Sequence, residues 1–202
     1  MPDFTIIAGP NGAGKSSFSK LLSAPGSIIF DADVVKTVKE KEYPDLPDES
    51  IGMMIDSAYW EAEGIAIEEK KDLTVETNLR NDFLIKRSTH FRDKGYTINL
   101  IFMLLPDVKV SMDRVNVRVD QKGHFVDVES IKYNFEHSLK TLKQHFDKFD
   151  SLYLFDSSLN SDLVIPNTLL ILKNNNISFV HPNAPIWAKP LLDEIIQKLT
   201  TN

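Results

Sequence analysis

The sequence predicts an α/β fold in which a mainly parallel sheet lies between two layers of helices. Short apolar runs of strand length alternate with longer stretches of helical periodicity along the chain. The first apolar run, FTIIA, also passes directly into GPNGAGKSS at 9–17, which is rich in glycine and ends in residues that suit a helix start. Such a strand, turn and helix unit is typical of a sheet whose strands are connected by helices.

The elements of the first half follow from their apolar spacing. Residues 4–8 form a short apolar run and are predicted to be a buried strand, followed by a helix over 15–23 with Phe18, Leu21 and Leu22 on one face. SIIFD at 27–31 and DLTVET at 72–77 predict the second and third strands. Between them, apolar residues recur at helical spacing and predict a long helix over roughly 48–70.

The second half repeats this alternation. A helix over 83–92 is predicted to stop before Lys94-Gly95, and TINLIFMLL at 97–105 is apolar enough to be a strand buried on both faces. Helical periodicity returns in two adjacent stretches. The sequence therefore predicts helices over 108–119 and 128–146, and then a further strand, SLYLFD, at 151–156.

The C-terminal part has its own pattern. Two apolar runs at 169–173 and 177–181 flank Asn174-Asn175-Asn176, which predicts a hairpin, and a final helix is predicted over 190–199. We interpret the chain as one domain, 1–202. Within it, 107–147 is predicted to form a helical lid region, and 165–202 a C-terminal hairpin plus helix.

Composition restricts the classes of function. The 202 residues carry a net charge of −6, which argues against a general nucleic-acid binder because such proteins present a basic face. The absence of cysteine excludes disulfides and thiolate chemistry. No apolar run approaches the length of a membrane span and the N-terminus lacks a secretory pattern, so we expect a cytoplasmic protein without membrane contacts.

The glycine-rich turn matches G-x-x-x-x-G-K-[ST]. Glycine lets the backbone approach a phosphate closely, and backbone N–H groups at the start of the next helix attract the anion. The lysine of this motif reaches the β- and γ-phosphates, and its hydroxyl residue binds Mg²⁺. We therefore predict a site for ATP and Mg²⁺ on a P-loop NTPase fold, with Ser16 as the metal ligand. The predicted nucleotide-binding residues are Gly9, Pro10, Asn11, Gly12, Ala13, Gly14, Lys15, Ser16 and Ser17.

Carboxylates follow two of the predicted strands. Asp31 and Asp33 lie at the end of the second strand and Glu76 near the end of the third, which is the sheet edge where ligands bind in open α/β folds. A carboxylate there can accept a proton from an attacking hydroxyl group. Aspartate also caps helices well, so spacing alone leaves both interpretations open for Asp31 and Asp33.

Two arginines lie on the helix predicted over 108–119. Arg114 and Arg118 are four residues apart and share one helix face, and Lys122-Gly123-His124 follow in a predicted loop. Arginines above a γ-phosphate stabilise the charge of a loose transition state, and closing a lid excludes water. The alternative is a solvated basic face paired with Asp113 and Asp120.

In this order, GPNGAGKS, DAD, VETNLR and RVNVRVDQKGH resemble the zeta-toxin family of P-loop kinases, and in particular its chromosomal branch. The resemblance covers about residues 4–156. It implies a fold like that of the nucleoside-monophosphate kinases and transfer of the ATP γ-phosphoryl group to the sugar 3′-hydroxyl of UDP-N-acetylglucosamine. It also implies that an antitoxin could restrain the activity.

The resemblance further implies roles for single residues. Asp33 matches the family's general base, and Glu76 matches a glutamate that contacts substrate, with Thr77 and Arg80 close to it. Lys15 keeps its P-loop role. The catalytic set is therefore Asp33, Lys15, Arg114 and Arg118, of which Arg114 or Arg118 matches the first phosphate-binding arginine. The substrate-binding set is Asp33, Glu76, Thr77, Arg80 and His124.

The chain also departs from the family pattern. Lys122-Gly123-His124 stands where relatives often have Gly-Gly-His, and the second lid arginine of the toxin branch falls near His124. Asp31 stands where relatives often carry Asn, and Thr77-Asn78 replaces the more usual pair of small or hydroxyl residues. These departures affect the acceptor side of the site and leave the P-loop intact.

The sequence thus predicts an ATP-dependent kinase that acts on a hydroxyl group of a small molecule, with a UDP-sugar as the acceptor that the family implies. Two alternatives remain. The first is an ATP-dependent binding or regulatory module, and the second is a kinase for a nucleoside, an antibiotic or a polynucleotide end. The pair of strand-end carboxylates favours an enzyme, because a switch does not need them.

Overall fold

The structure is a computed structural model that describes residues 1–120, 125–158 and 167–201. Within these ranges, seven strands form a single sheet in the order β2-β3-β1-β4-β5-β6-β7. The strands are β1 (Asp3–Ala8), β2 (Ile28–Asp31), β3 (Leu73–Thr77), β4 (Thr97–Leu104), β5 (Ser151–Asp156), β6 (Asn167–Lys173) and β7 (Asn176–Val180).

Helices connect the strands, as the alternating sequence pattern predicts. They are α1 (Lys15–Leu22), α2 (Ala32–Glu42), α3 (Asp48–Glu69), α4 (Phe83–Asp93), α5 (Val108–Asp120), α6 (Val128–His145) and α7 (Lys189–Thr201). A 3₁₀ turn, Phe146–Lys148, directly follows α6. The α/β class and the mainly parallel sheet are therefore confirmed.

The sheet has a parallel part and an antiparallel part. Strands β2, β3, β1, β4 and β5 all run parallel, so their carboxyl ends lie along one edge, where β1 and β3 lead into their functional loops. Strands β6 and β7 add to β5 as an antiparallel hairpin. Asn174 and Asn175 form its two-residue turn with φ of 48° and 59°, the left-handed conformations that such a turn requires.

Alternating residues of the strands build two cores. Phe4, Ile6 and Ala8 of β1 face the larger one, which includes buried side chains of α3, α4, α6 and α7. Ile7 faces the smaller one on the other side of the sheet, beneath α1, with Phe18, Met103 and Phe155. Helices thus cover both faces, but unequally.

Two expectations about helices need correction. No helix was predicted over α2, because the helix has no buried residue and its sequence, ADVVKTVKEKE, contains β-branched residues that favour strands. Leu21 and Leu22 were expected to share a buried face with Phe18, but each is 46% exposed while Phe18 is 7% exposed. Leu22 lines an open groove beside Thr5 and Ile7 of β1, so the last turn of α1 is only partly covered.

No helix within the described ranges is both long enough and apolar enough to cross a membrane.

Candidate active site

A cavity of about 700 Å³ opens at the carboxyl ends of the parallel strands. It lies between the loop after β1, the starts of α1 and α2, the end of β3, and the two helices α5 and α6. Its walls contain many of the residues that the sequence predicts to be functional. They are Asn11, Gly12, Gly14, Lys15, Ser16, Ser17, Asp33, Glu76, Thr77, Arg80, Arg114 and Arg118.

The loop between β1 and α1 has a backbone that only glycine accommodates. At Gly9, φ is +145° and an added Cβ would lie 2.5 Å from the carbonyl oxygen of Met103. Gly14 has a φ of 85° and caps the N-terminus of α1. Because these residues turn the chain sharply, the N–H groups of the first turn of α1 face the cavity, which is the arrangement that binds phosphate.

Lys15 is the first residue of α1, and its ammonium group makes two hydrogen bonds within the loop and one to the segment after β3. Nζ donates to the carbonyl oxygens of Gly9 at 2.9 Å and Pro10 at 3.1 Å, and to Oδ1 of Asn78 at 2.9 Å. Burial lowers the pKa of Lys15 to about 8, although Asp33 and other nearby carboxylates oppose this shift. Three donors thus meet three acceptors, so a bound phosphate would have to replace at least one of them.

Ser16 lies between two carboxylates. Its Oγ is 2.8 Å from Oε2 of Glu76 and 3.2 Å from Oδ2 of Asp31. Ser19, one turn further along α1, donates a hydrogen bond to the other oxygen of Glu76. Burial raises the pKa of Glu76, while the hydroxyl groups of Ser19 and Ser16 oppose the rise. Glu76 therefore connects the P-loop to the end of β3.

The two aspartates after β2 have different positions. Asp31 caps α2, since its Oδ1 accepts a hydrogen bond of 2.9 Å from the N–H of Asp33. Asp33 lies in the first turn of the helix, is exposed, and lines the cavity near Lys15. The capping interpretation thus holds for Asp31, and Asp33 is left with its carboxylate available to a ligand. Its catalytic role stays a prediction.

The two arginines of α5 have different surroundings. The Arg114 guanidinium donates to the carbonyl oxygens of Ser157 at 2.6 Å, Ser158 at 2.9 Å and Gly12 at 3.3 Å. It therefore ties the loop after β5 to the P-loop. Arg118 lies one turn further along the same helix, is partly buried in the cavity wall, and is close enough to Lys15 to lower the lysine pKa.

The end of β3 turns sharply into the cavity. Leu79 has a φ of 52°, an uncommon backbone conformation for leucine, and its N–H donates to Oγ1 of Thr77 at 2.9 Å. This turn places Asn78 against Lys15 and leaves Arg80 exposed in the cavity wall. Strained backbone of this kind is commonly found at functional sites.

The structure brings together most of the predicted site. His124, with Lys122 and Gly123, lies outside the described residues, and its role in substrate binding stays a prediction. Four contacting residues escaped sequence analysis: Ser19, Asn78, Ser111 and Asn134. For two of them a signal existed, because Asn78 is inside VETNLR and Ser19 is one helical turn after Ser16.

Comparison with known proteins identifies a family that matches this chain. The zeta toxin family matches residues 1–163, which is most of the chain. Among curated proteins, an uncharacterised protein of Haemophilus influenzae is 24% identical over 130 residues, which span 64% of this chain and 90% of that protein.

Solved structures share the fold at low sequence identity. The toxin–antitoxin system PezAT of Streptococcus pneumoniae gives a TM-score of 0.64 at 16% identity, over 100% of this chain and 86% of that one. The complex of AvrRxo1-ORF1 and ORF2 with ATP gives 0.66 at 11% identity, over 96% of this chain and 64% of that one. At these identities the likeness establishes the fold.

Proposed function

Because the chain belongs to the zeta toxin family, we propose that it is an ATP-dependent kinase that transfers the γ-phosphoryl group to a hydroxyl group of a small molecule. The observation that carries the proposal is a single cavity in which the P-loop residues Lys15 and Ser16 lie beside the exposed carboxylate of Asp33. A nucleotide site needs the first two residues, and a carboxylate beside them can accept the proton of an attacking hydroxyl group.

The proposed roles follow from these positions. The backbone N–H groups of residues 9–17 and the ammonium group of Lys15 bind the triphosphate. Asp33 accepts the proton of the acceptor hydroxyl, for which a carboxylate exposed in the cavity is suited. Arg118 and Arg80, both in the cavity wall, supply positive charge next to the transferring group. Arg114 holds the loop after β5 against the P-loop and acts through position.

The site also suits Mg²⁺. Magnesium prefers hard oxygen ligands, and the Ser16 hydroxyl lies between the Asp31 and Glu76 carboxylates. Within the described residues there is no group of three or more acidic, histidine or cysteine side chains placed to hold a metal by themselves, so phosphate oxygens and water would complete the coordination. When bound, the ion would neutralise charge on the phosphates. Asp31 and Glu76 would hold and orient the Ser16 hydroxyl.

For the acceptor, we propose a sugar nucleotide such as UDP-N-acetylglucosamine. The family resemblance supports this choice, and so does a second cavity, of about 450 Å³, that adjoins the first. Ala32, Glu76, Thr77 and Arg80 line both cavities, so a molecule in the second cavity could present a hydroxyl group to the P-loop.

We further propose that a partner protein restrains the kinase in the cytoplasm. Support comes from two structural neighbours, which are described as a toxin–antitoxin system and as a two-component complex. Co-expression with the product of an adjacent small reading frame should give a stable complex in which ATP turnover falls. A complex that leaves turnover unchanged would contradict this part of the proposal.

The test of the kinase activity is mass spectrometry of acceptors after incubation with Mg-ATP. A panel of sugar nucleotides, nucleosides and simple sugars should contain one compound that gains a phosphate, and Lys15→Ala should abolish the gain. Asp33→Asn should lower the rate by about 100-fold or more, while ATP binding persists. Asp45→Asn is the matched control, because Asp45 is an exposed aspartate between α2 and α3, outside both cavities.

Two other results would redirect the proposal. Full transfer activity in Asp33→Asn would remove its role as general base. Tight ATP binding without a phosphorylated product would favour the ATP-dependent binding module, in which case partner affinity should rise with ATP.

A further inference from the structure

The second cavity has an unusual lining for a site that binds phosphorylated compounds. Its walls contain Tyr59 and Trp60 of α3 and Phe83 of α4, beside the end of β3. Two of these large rings remain open to water, since Trp60 is 48% exposed and Phe83 is 41% exposed. Single exposed aromatic residues are ordinary, but two that share one cavity form an apolar surface that a ligand can cover.

The rings form one cluster with a fixed geometry. The centroid of Trp60 lies 5.9 Å from that of Phe83 with an angle of 80° between the planes. Tyr59 packs edge-on against both, at 5.1 Å from Trp60 and 5.5 Å from Phe83. These are favourable arrangements for aromatic pairs, so the exposed surfaces are held in place before any ligand arrives.

A buried ionic group anchors the cluster. Glu63, only 5% exposed, pairs with the Arg87 guanidinium, whose Nε is 3.0 Å from Oε2, and it accepts a hydrogen bond of 2.9 Å from the Tyr59 hydroxyl. The same guanidinium lies 5.2 Å from the Trp60 ring centroid. Glu63 is one turn beyond Tyr59, and Arg87 is one turn beyond Phe83. Helix α3 therefore contributes two rings and the negative charge, and α4 contributes one ring and the positive charge.

We propose that Trp60 and Phe83 are specificity-determining residues that bind the planar base of the nucleotide acceptor. This inference rests on the proposed kinase function, because it takes the second cavity as the acceptor site. A flat aromatic ring gains most from such a surface, since stacking on an aromatic side chain requires no particular hydrogen-bond pattern. A base held there leaves the rest of the acceptor to extend past Thr77 and Arg80 towards the P-loop.

The chain provides a direct spectroscopic test. Its two tryptophans are Trp60 and Trp187, and Trp187 packs against the core and is not among the residues that line either cavity. In Trp187→Phe, all tryptophan fluorescence therefore comes from Trp60. With a non-hydrolysable ATP analogue and Mg²⁺ saturating the P-loop, we would titrate UMP, CMP, AMP, GMP, UDP-N-acetylglucosamine and N-acetylglucosamine 1-phosphate.

We expect at least one nucleotide to quench Trp60, and the sugar phosphate without a base to leave it unchanged. Trp60→Ala should weaken binding of that nucleotide by about 10- to 100-fold, and Trp60→Phe should restore most of the affinity because it keeps an aromatic face. ATP binding should not change in either variant. Both variants should fold, since Trp60 is half exposed.

Three results would overturn the inference. They are no quenching by any of the four nucleoside monophosphates, equal quenching by the sugar phosphate, and unchanged nucleotide affinity in Trp60→Ala. The readout needs no turnover, so it is separate from the proposed function. A kinase that phosphorylates its acceptor equally well in Trp60→Ala would retain the function and lose the base site. Quenching of Trp60 by a nucleotide without phosphoryl transfer would retain the base site and contradict the kinase function.

Discussion

At the scale of single residues, the most informative group is the Lys15 ammonium. It makes two hydrogen bonds inside the loop that would hold phosphate, to Gly9 and Pro10, and a third to Asn78 after β3. Burial lowers its pKa to about 8, so its charge, on which phosphate binding depends, is lost within a moderately alkaline range. Bound phosphates would oppose this loss, because a nearby negative charge favours the protonated form.

We therefore expect ATP binding to be linked to proton uptake. Between about pH 7.5 and 9.5, the free protein loses the Lys15 proton and the complex keeps it, so affinity should fall as the pH rises. Calorimetry in buffers of different ionisation enthalpy measures the protons taken up, which should approach one near the upper end. Lys15→Arg removes this titration, since arginine stays charged.

Lys20→Ala is the control for that measurement. Lys20 is on the same helix, is exposed, and does not line the cavity. Its replacement should leave proton uptake as in the natural sequence. Equal proton uptake in Lys15→Arg and the natural sequence would show that another group titrates.

At the scale of elements, α2 illustrates how a helix can depend on its first residue. None of its side chains is fully buried, and only Ala32 and Val35 pack partly against the larger core, so apolar packing contributes less to it than to the other helices. Its start is stabilised by Asp31, which accepts a hydrogen bond from the N–H of Asp33. The cap also determines where Asp33 lies, because Asp33 belongs to the first turn of the same helix.

Removing this cap should therefore affect stability and the site together. We expect Asp31→Ala to lower the free energy of unfolding by about 1 kcal/mol, as measured by urea denaturation, and to reduce the transfer rate. Asp31→Asn keeps a capping oxygen and should retain the stability. Thr37→Ala serves as a control on the same helix, because among the described residues the Thr37 hydroxyl bonds only to the Asp33 carbonyl oxygen of its own helix. Equal stability of Asp31→Ala and the natural sequence would contradict the capping role.

The elements also show what sequence patterns can and cannot predict. The strands were predictable because apolar runs such as FTIIA are buried on both faces, and the hairpin turn was predictable from its asparagines. Helix α2 was not, since its apolar residues are few, are β-branched valines that favour strands, and are not fully buried. The exposure of Leu21 and Leu22 was also not predictable from the sequence, because it depends on which part of the sheet α1 covers.

The candidate site likewise contains residues that the sequence predicts and contacts that it does not. Lys15, Ser16 and Glu76 were predictable because each stands in a short motif or at a strand end. The bond between Lys15 and Asn78 joins residues 63 positions apart, and that between Asn11 and Asn134 spans 123 positions. Contacts over such distances depend on the whole fold and leave no local pattern.

At the scale of the whole molecule, the P-loop is connected to the helices of the proposed lid region. Ser111 of α5 donates to the Asn11 carbonyl at 2.6 Å, and Asn134 of α6 donates to the Asn11 side chain at 2.9 Å. Asn11 and Asn134 are 5% and 4% exposed. A ligand that fixes the P-loop would thereby also fix α5 and α6, because these bonds are short, buried and shared.

Within the described residues, no group satisfies the buried Oδ1 of Asn134, which lines the cavity. An unsatisfied buried acceptor is costly, and a donor group on a bound nucleotide would relieve that cost. We therefore expect a bound nucleotide to contact α6 as well as the loop after β1.

Hydrogen exchange can measure this coupling. We expect ATP with Mg²⁺ to slow amide exchange in α1 and also in α5 and α6. Asn134→Ala should remove most of the added protection in α6, preserve that in α1, and weaken ATP binding by about 10-fold. Ser138→Ala is the matched control, since Ser138 is buried one turn further along α6 and, within the part of the chain that the structure describes, its hydroxyl bonds only to the Phe135 carbonyl of its own helix. If ATP protected α6 equally in Asn134→Ala and Ser138→Ala, the coupling would have to run through α5. In that case the contacts of Ser111 and Arg114 with the P-loop would be the ones to break next.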